Sequence, residues 1–156
     1  MSFQISGLSA APFSRFFGLS EAELAKHHIV RHTADHSPGF PCRVSLRDAE
    51  VGETLLLLNY EHLDVATPYR SNYAIYVREF AEEAQIAINE VPAVLKRRLL
   101  SLRAFDTQGM LLDADVADGS SIEPLIERML ENARVSYIHV HNAKPGCFAA
   151  RVDRVS

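Results

Sequence analysis

Residues 137–151 have the sequence Tyr137-Ile-His-Val-His-Asn-Ala-Lys-Pro-Gly-Cys-Phe-Ala-Ala-Arg151, which predicts a β-hairpin. A five-residue turn over residues 142–146 would set His141 opposite Cys147. Strand alternation then gives a core face, made of Ile138, Val140, Phe148, Ala150 and Val152. The other face carries the polar and reactive side chains, namely Tyr137, His139, His141, Cys147, Ala149 and Arg151. The stretch therefore predicts a strand pair with two imidazoles, a thiol and a guanidinium on one side.

A second hairpin is predicted upstream, with strands at 99–106 and 110–116 joined by a glycine-containing turn. Pairing Asp106 with Met110 gives a core face of Leu100, Leu102, Ala104, Leu112, Ala114 and Val116. Arg103 then lies on the polar face, directly across from Asp113. We expect the polar faces of the two hairpins to form one surface.

The order of elements predicts the fold class. From residue 74 onward the pattern is strand, helix, strand, strand, helix, strand, strand, with the second helix opened by a capping box of Ser120 and Glu123. The first six elements match the ferredoxin-like βαββαβ order, with one strand added. Earlier strands are predicted at 3–8, 29–34 and 54–60, and a helix at the capping box of Ser20 and Glu23. The sequence predicts an α+β fold in which helices lie mainly on one face of an antiparallel sheet.

Composition limits the function classes. The 156 residues suit a single domain, 1–156, and a net charge of -4 argues against nucleic acid and anionic membranes as partners. No apolar run approaches the roughly 20 residues that a membrane span requires, and the first residues lack the features of a secretory signal. Cys42 and Cys147 match no C-x-x-C spacing. These features predict a cytoplasmic protein with free thiols.

Arginines near predicted strands form the first candidate site. Arginine clamps carboxylate or phosphate with two parallel hydrogen bonds, and loops on a rigid sheet concentrate binding groups. We expect a pocket for a small anionic molecule on the sheet face opposite the helices, with turnover not established. The expected binding residues are Asn59, Tyr60, His62, Arg70, Arg78, Arg103 and Asn142.

The histidines and Cys147 are also the residue types of a catalytic nucleophile or of a metal centre. A cysteine beside a histidine can be held as a thiolate, so His139, His141 and Cys147 are candidate catalytic residues, with Asn142 as an orienting group. The same three side chains could instead bind zinc, although no second spaced pair of ligands accompanies them. A further alternative is a non-catalytic interaction domain whose polar sheet face forms a homodimer. We otherwise expect no cofactor.

Several runs of the sequence resemble a known bacterial family of unknown function, catalogued as domain of unknown function 1203. The runs are Pro41-Cys-Arg-Val-Ser-Leu46, Leu57-Leu-Asn-Tyr-Glu-His62, Thr67-Pro-Tyr-Arg70, Tyr76-Val-Arg-Glu79, Arg98-Leu-Leu-Ser-Leu-Arg103, Ile138-His-Val-His-Asn-Ala143 and Gly146-Cys-Phe-Ala-Ala-Arg151. The similarity covers nearly the whole chain. It implies a single-domain cytoplasmic protein, with no activity to carry over. It also implies that most of the candidate residues above lie in family motifs, together with Cys42.

Overall fold

The computed structural model describes residues 1–155 and contains two antiparallel sheets. The strands are β1 Ser2–Ser6, β2 Val30–Thr33, β3 Thr54–Leu63, β4 Ser71–Arg78, β5 Leu99–Phe105, β6 Leu111–Asp118, β7 Tyr137–Asn142 and β8 Phe148–Val155. The larger sheet has the order β1-β8-β7-β5-β6, and the smaller sheet has the order β2-β3-β4. The predicted α+β class with antiparallel sheets is confirmed, and most of the regular structure is strand.

Three short α-helices accompany the sheets, α1 Glu21–Lys26, α2 Ala93–Lys96 and α3 Glu123–Leu130. Ser20 caps α1 as predicted, because its Oγ accepts a hydrogen bond from the backbone N–H of Glu23 at 3.2 Å. The capping box predicted at Ser120 is wrong. Residues 119–121 form a short 3-10 turn capped by Asp118, and α3 begins at Glu123 without a side-chain cap.

One face of the larger sheet packs against α2 and α3. Its buried apolar residues come from the helices and from alternate strand positions, and include Val94, Leu95, Ile126, Met129, Leu102, Ile138, Val140 and Val152. Burial stabilises the fold by about 25 cal/mol per Å² of apolar surface removed from water. It therefore determines which side chains of each strand face the helices. The polar positions of β5 and β7 consequently point to the opposite face, as the sequence predicted.

A second apolar cluster holds the smaller sheet to the N-terminal segments. Alternate residues of β3 and β4, Leu56, Leu58, Ile75 and Val77, pack with Phe13, Phe16, Leu24, Ile29, Cys42 and Val44. The end of β3 reaches past this cluster to Leu63, three residues beyond the strand end predicted at Tyr60. This extension carries His62 towards the larger sheet.

The ferredoxin-like arrangement predicted for the second half is not confirmed. The strand that would open it, β4, pairs with β3 in the smaller sheet and, within residues 1–155, with no strand of the larger sheet. Sequence order alone did not reveal this, because strand partners are set by packing between distant segments. None of the helices within residues 1–155 is long and apolar enough to cross a membrane.

A β-bulge changes the predicted register of the hairpin formed by β5 and β6. Pairing begins as expected at the turn, where Asp106 N–H donates to the Met110 carbonyl at 3.0 Å. The register shifts between Ala104 and Phe105, so Arg103 lies opposite Ala114 and not opposite Asp113. Beyond the bulge the faces of β6 are therefore exchanged, and Val116, a predicted core residue, is exposed.

The hairpin of β7 and β8 contains a second bulge, between Val140 and His141. His141 faces Phe148 instead of Cys147, and Ile138 faces Val152 instead of Ala150, although Ile138 and Val152 both stay on the predicted core side. Phe148, predicted to join the core under the helices, turns to the histidine side of the sheet. The bulge thus supplies an aromatic wall beside the two imidazoles.

Candidate functional site

Two cavities contain most of the predicted site residues. We call the first the histidine pocket; it has a volume of about 170 Å³ and is lined by His62, Leu63, Tyr69, Ser71, Arg103, Phe105, Leu111, His139 and His141. We call the second the cysteine cavity; it has a volume of about 590 Å³, and its lining includes Arg43, Tyr73, Tyr76, Arg97, Arg98, Asn142, Lys144 and Cys147. His139 and His141 therefore lie in a different cavity from Cys147.

Three imidazoles meet in the histidine pocket. His139 and His141 come from the polar face of β7, and His62 comes from the end of β3, where pairing with β4 shifts between Tyr60 and Leu63. The ring centroids of His62 and His141 are 4.9 Å apart, those of His62 and His139 are 6.1 Å apart, and those of His139 and His141 are 6.4 Å apart. The cluster thus joins the two sheets.

Aromatic rings surround this cluster and remove it from water. Phe148 stacks on His62 with centroids 5.6 Å apart and meets His139 edge-on at 5.0 Å, while Phe105 lies 5.6 Å from His139. His139 is 4% exposed and His141 is 1% exposed. Burial disfavours the charged imidazolium, because a low-dielectric surrounding solvates charge poorly.

All three imidazoles are consequently neutral near pH 7. Burial, assisted by the neighbouring histidines and arginines, lowers the pKa of His139 to about 3. Burial likewise lowers the pKa of His141 to about 4, opposed by a hydrogen bond to the Gly146 carbonyl. Burial and the positive charge of Arg103 lower the pKa of His62. A neutral imidazole offers one N–H donor and one lone pair, so the pocket presents both.

The hydrogen bonds of the imidazoles are incomplete. In the neutral ring, His141 Nδ1 must donate to the Gly146 carbonyl, 2.9 Å away, which leaves Nε2 as the acceptor. The Nδ1 atoms of His62 and His139 are buried and have no hydrogen-bond partner within residues 1–155. Leaving a buried polar group unpaired costs about 1–3 kcal/mol, so such atoms call for a functional explanation.

Arg103 adds a cation without a matching carboxylate. Its side chain is half-buried, and its Nε donates only a weak hydrogen bond to Ser101 Oγ at 3.3 Å. Asp113, the partner predicted for it, instead pairs with Arg128 of α3 at 3.6 Å. No ion pair to Arg103 occurs in the part of the chain that the structure describes, and burial lowers the pKa of its guanidinium.

Other predicted binding residues lie outside the pocket and already have partners. Arg70 makes a two-pronged contact with Glu61, at 3.0 and 3.1 Å. Arg78 is paired with Glu53, and Asn59 Nδ2 donates to Asn72 Oδ1 at 3.2 Å. Tyr60 packs against Phe13 with ring centroids 5.4 Å apart. Of the predicted anion-binding residues, only His62 and Arg103 therefore line the histidine pocket.

The zinc alternative receives no support from these positions. The metal set predicted from the sequence was His139, His141 and Cys147, and the thiol lines a separate cavity. Over residues 1–155, no group of three or more histidine, cysteine, aspartate or glutamate side chains is arranged to hold a metal ion. Arg103 beside the imidazoles would also repel a metal cation.

Arg43 is a candidate functional residue that the sequence did not reveal. It is 2% exposed, and its Nη2 lies 2.8 Å from Cys147 Sγ. Its other donors bind backbone carbonyls, Nε that of Phe148 at 2.7 Å and Nη1 that of Pro41 at 2.5 Å. The signal in the sequence was an arginine between two apolar residues, Cys42 and Val44. Both of these neighbours are buried in the structure.

Residues 39–154 of the sequence match the model of the family described as "Protein of unknown function (DUF1203)". The chain belongs to this family. The matched range contains every residue of the two cavities, so both are features of the DUF1203 region. Comparisons with curated proteins and with solved structures find no match to this chain. The resemblance inferred from the motifs is thus confirmed.

Proposed function

We propose that this DUF1203 protein binds a small anion in the histidine pocket. The observation that carries the proposal is Arg103, a half-buried guanidinium that no carboxylate accompanies within residues 1–155. A cation removed from water is costly unless an anion or several hydrogen bonds accompany it. Within residues 1–155 the side chain of Arg103 makes one hydrogen bond, to Ser101 Oγ, so most of its donors are left for a ligand.

The neutral imidazoles complete the binding chemistry. His62 and His139 each have an Nδ1 without a partner, and each can adopt the tautomer that donates from it. Together with Arg103 they could direct several N–H groups at one oxyanion. A volume of about 170 Å³ limits the ligand to the size of a carboxylate, phosphate or short dicarboxylate. The aromatic walls exclude water, which strengthens each of these contacts.

Binding is expected to be coupled to proton uptake. An anion beside His139 and His141 favours their charged forms and so raises both pKa values from about 3 and about 4. Affinity should therefore increase as the pH falls from 7.5 towards 5.5. A ligand whose own pKa lies below 4 separates this effect from titration of the ligand.

Replacing the cation tests the proposal directly. Arg103→Gln should weaken binding of sulfate, phosphate and oxalate by about 10- to 100-fold, because a hydrogen bond to a charged group contributes about 1.5–3 kcal/mol. Isothermal titration calorimetry at pH 6 in a chloride-free buffer gives the affinities. Arg134→Gln is the matched control, since Arg134 is exposed and its replacement changes the net charge equally.

Two results would contradict the proposal. One is a protein that binds none of the three anions with a dissociation constant below 10 mM. The other is an equal loss of affinity in Arg103→Gln and Arg134→Gln, which would attribute binding to overall charge. Zinc titration of the same samples addresses the alternative, because micromolar zinc binding that is lost in His141→Ala would favour a metal centre over an anion site.

A further inference from the structure

Cys147 lies at the wall of the cysteine cavity and is 7% exposed. Its sulfur accepts two hydrogen bonds, from Arg43 Nη2 at 2.8 Å and from Asn142 Nδ2 at 3.6 Å. The Arg43 contact is short for a nitrogen and a sulfur, and both donors approach the same acceptor. Two donors directed at one sulfur suit a charged acceptor, because a thiolate accepts hydrogen bonds more strongly than a thiol does.

The burial of the Arg43 cation gives a second reason to expect a negative charge beside it. A guanidinium cannot lose its proton in a protein, and a buried charge needs a partner of opposite sign. Two of its donors are satisfied by neutral carbonyls, those of Pro41 and Phe148. Over residues 1–155 no carboxylate pairs with Arg43, so Cys147 Sγ is the group in hydrogen-bond contact that can carry the balancing charge.

Asn142 provides an independent sign that the cavity accepts a ligand. It is 4% exposed and lines the cavity, and its Oδ1 is buried without a hydrogen-bond partner within residues 1–155. Its Nδ2 is directed at Cys147 Sγ. The free Oδ1 can therefore accept a hydrogen bond from an N–H or O–H group of a molecule held beside the thiol.

The charges around the cavity select for an anionic molecule. Arg97 and Arg98 share one buried carboxylate, that of Asp48, at 2.9 and 2.6 Å. Together with Lys144, which is exposed, and Arg43, they give the lining four cations. Asp118 is the acidic residue of the lining, and its Oδ1 accepts hydrogen bonds from Ser120. The surplus of positive charge raises the local concentration of anions.

We propose that Cys147 is a thiolate nucleophile and that the cysteine cavity admits a small electrophile bearing a carboxylate or phosphate. The thiol proton has passed to solvent before the reaction. Sulfur then uses its electron pair to form an S–C bond, the bond to the leaving group breaks, and the leaving group departs with that bond's electron pair. Arg43 and Asn142 hold the sulfur, whereas Lys144 and Arg97 attract the anionic group. This site is separate from the histidine pocket and does not depend on the function proposed for it.

Alkylation with two reagents of similar size tests both parts of the proposal. The intact protein is treated at pH 7 with iodoacetate, which is anionic, or with iodoacetamide, which is neutral, and each cysteine is followed by peptide mass spectrometry. With iodoacetate, Cys147 should react at least about 10-fold faster than N-acetylcysteine. Its ratio of iodoacetate rate to iodoacetamide rate should exceed that of N-acetylcysteine about 5-fold. Cys42, which is 1% exposed and lines neither cavity, is the internal control and should stay unmodified.

Two variants distinguish the activation of Cys147 by Arg43 from the attraction of the anionic reagent by Lys144. Lys144→Gln should lower the iodoacetate rate about 2- to 3-fold and leave the iodoacetamide rate unchanged, whereas Lys26→Gln, an exposed change on α1, should alter neither. Arg43→Met should slow both reagents about 10-fold. If Arg43→Met does not fold, the parent protein and Lys144→Gln still decide the question. A Cys147 that reacts no faster than N-acetylcysteine, or without preference for iodoacetate, overturns the proposal.

Discussion

Lowering the pH from 7 to 4.5 is expected to reduce the free energy of unfolding by about 3–5 kcal/mol, chiefly through His139 and His141. Burial lowers their pKa values in the folded protein to about 3 and about 4. Below pH 6.5 the unfolded chain therefore binds protons that the folded chain does not, and this favours unfolding. The stabilisation is complete above pH 6.5 and is lost progressively as the pH falls towards the folded values.

The charged and titratable groups that face the two imidazoles all act in this direction, whereas the Gly146 carbonyl opposes it at His141. His62, Arg103 and Arg151 oppose protonation of His139, and Arg43 adds to the effect on His141. The pH window also avoids the main carboxylates. Contacts with arginine lower the pKa values of Glu53 and Glu79 to about 2, so their contribution is lost mostly below pH 4.5. Between pH 6.5 and 4.5 the histidines dominate.

Urea unfolding at four pH values between 7 and 4.5 measures the effect. His139→Asn and His141→Asn should each remove about half of the pH dependence, whatever they do to stability at pH 7. In His141→Asn the amide can replace Nδ1 in the bond to Gly146, which limits other damage. His28→Asn is the control, because His28 lies at the surface. If the free energy of unfolding depends on pH in both pocket variants as it does in the parent protein, neither imidazole is held neutral by folding.

The local pattern of the sequence was enough to predict much of the fold. Alternation in β5 and β7 placed Leu100, Leu102, Ile138 and Val140 under the helices, and the same alternation put His139 and His141 on the opposite face. These predictions succeed because a one-residue shift would bury polar groups and expose apolar ones.

The parts that the sequence did not predict depend on contacts between distant segments. The bulge beside Phe105 removed Asp113 from Arg103, and the bulge beside His141 brought Phe148 to the imidazoles. A bulge adds one residue to one strand, and its position is decided by packing that strand periodicity does not contain. The burial of Arg43 is similar, because two of its three hydrogen-bond partners, Cys147 and Phe148, are more than 100 residues away in the chain.

Gly119→Ala is expected to lower the free energy of unfolding by about 3 kcal/mol or more. Gly119 follows β6 and lies against the end of α2, where its N–H donates to the Arg98 carbonyl at 2.7 Å. A Cβ at this position would come within 1.8 Å of the Leu95 carbonyl oxygen and 2.8 Å of the Arg98 carbonyl oxygen. Both obstacles are backbone, so no side-chain rotation relieves them.

Gly39→Ala is the matched control for this substitution. The three heavy atoms nearest to its Cβ would all belong to the ring of His36, an exposed side chain that can rotate away, so we expect a change below about 1 kcal/mol. Urea unfolding of the two variants at pH 7 compares them under conditions where the histidines are neutral. Equal stabilities would show that α2 can move away from residue 119. A large difference would show that the close approach of the backbone at residue 119 fixes the position of α2. The same contact would then position Arg97 and Arg98 at the cysteine cavity.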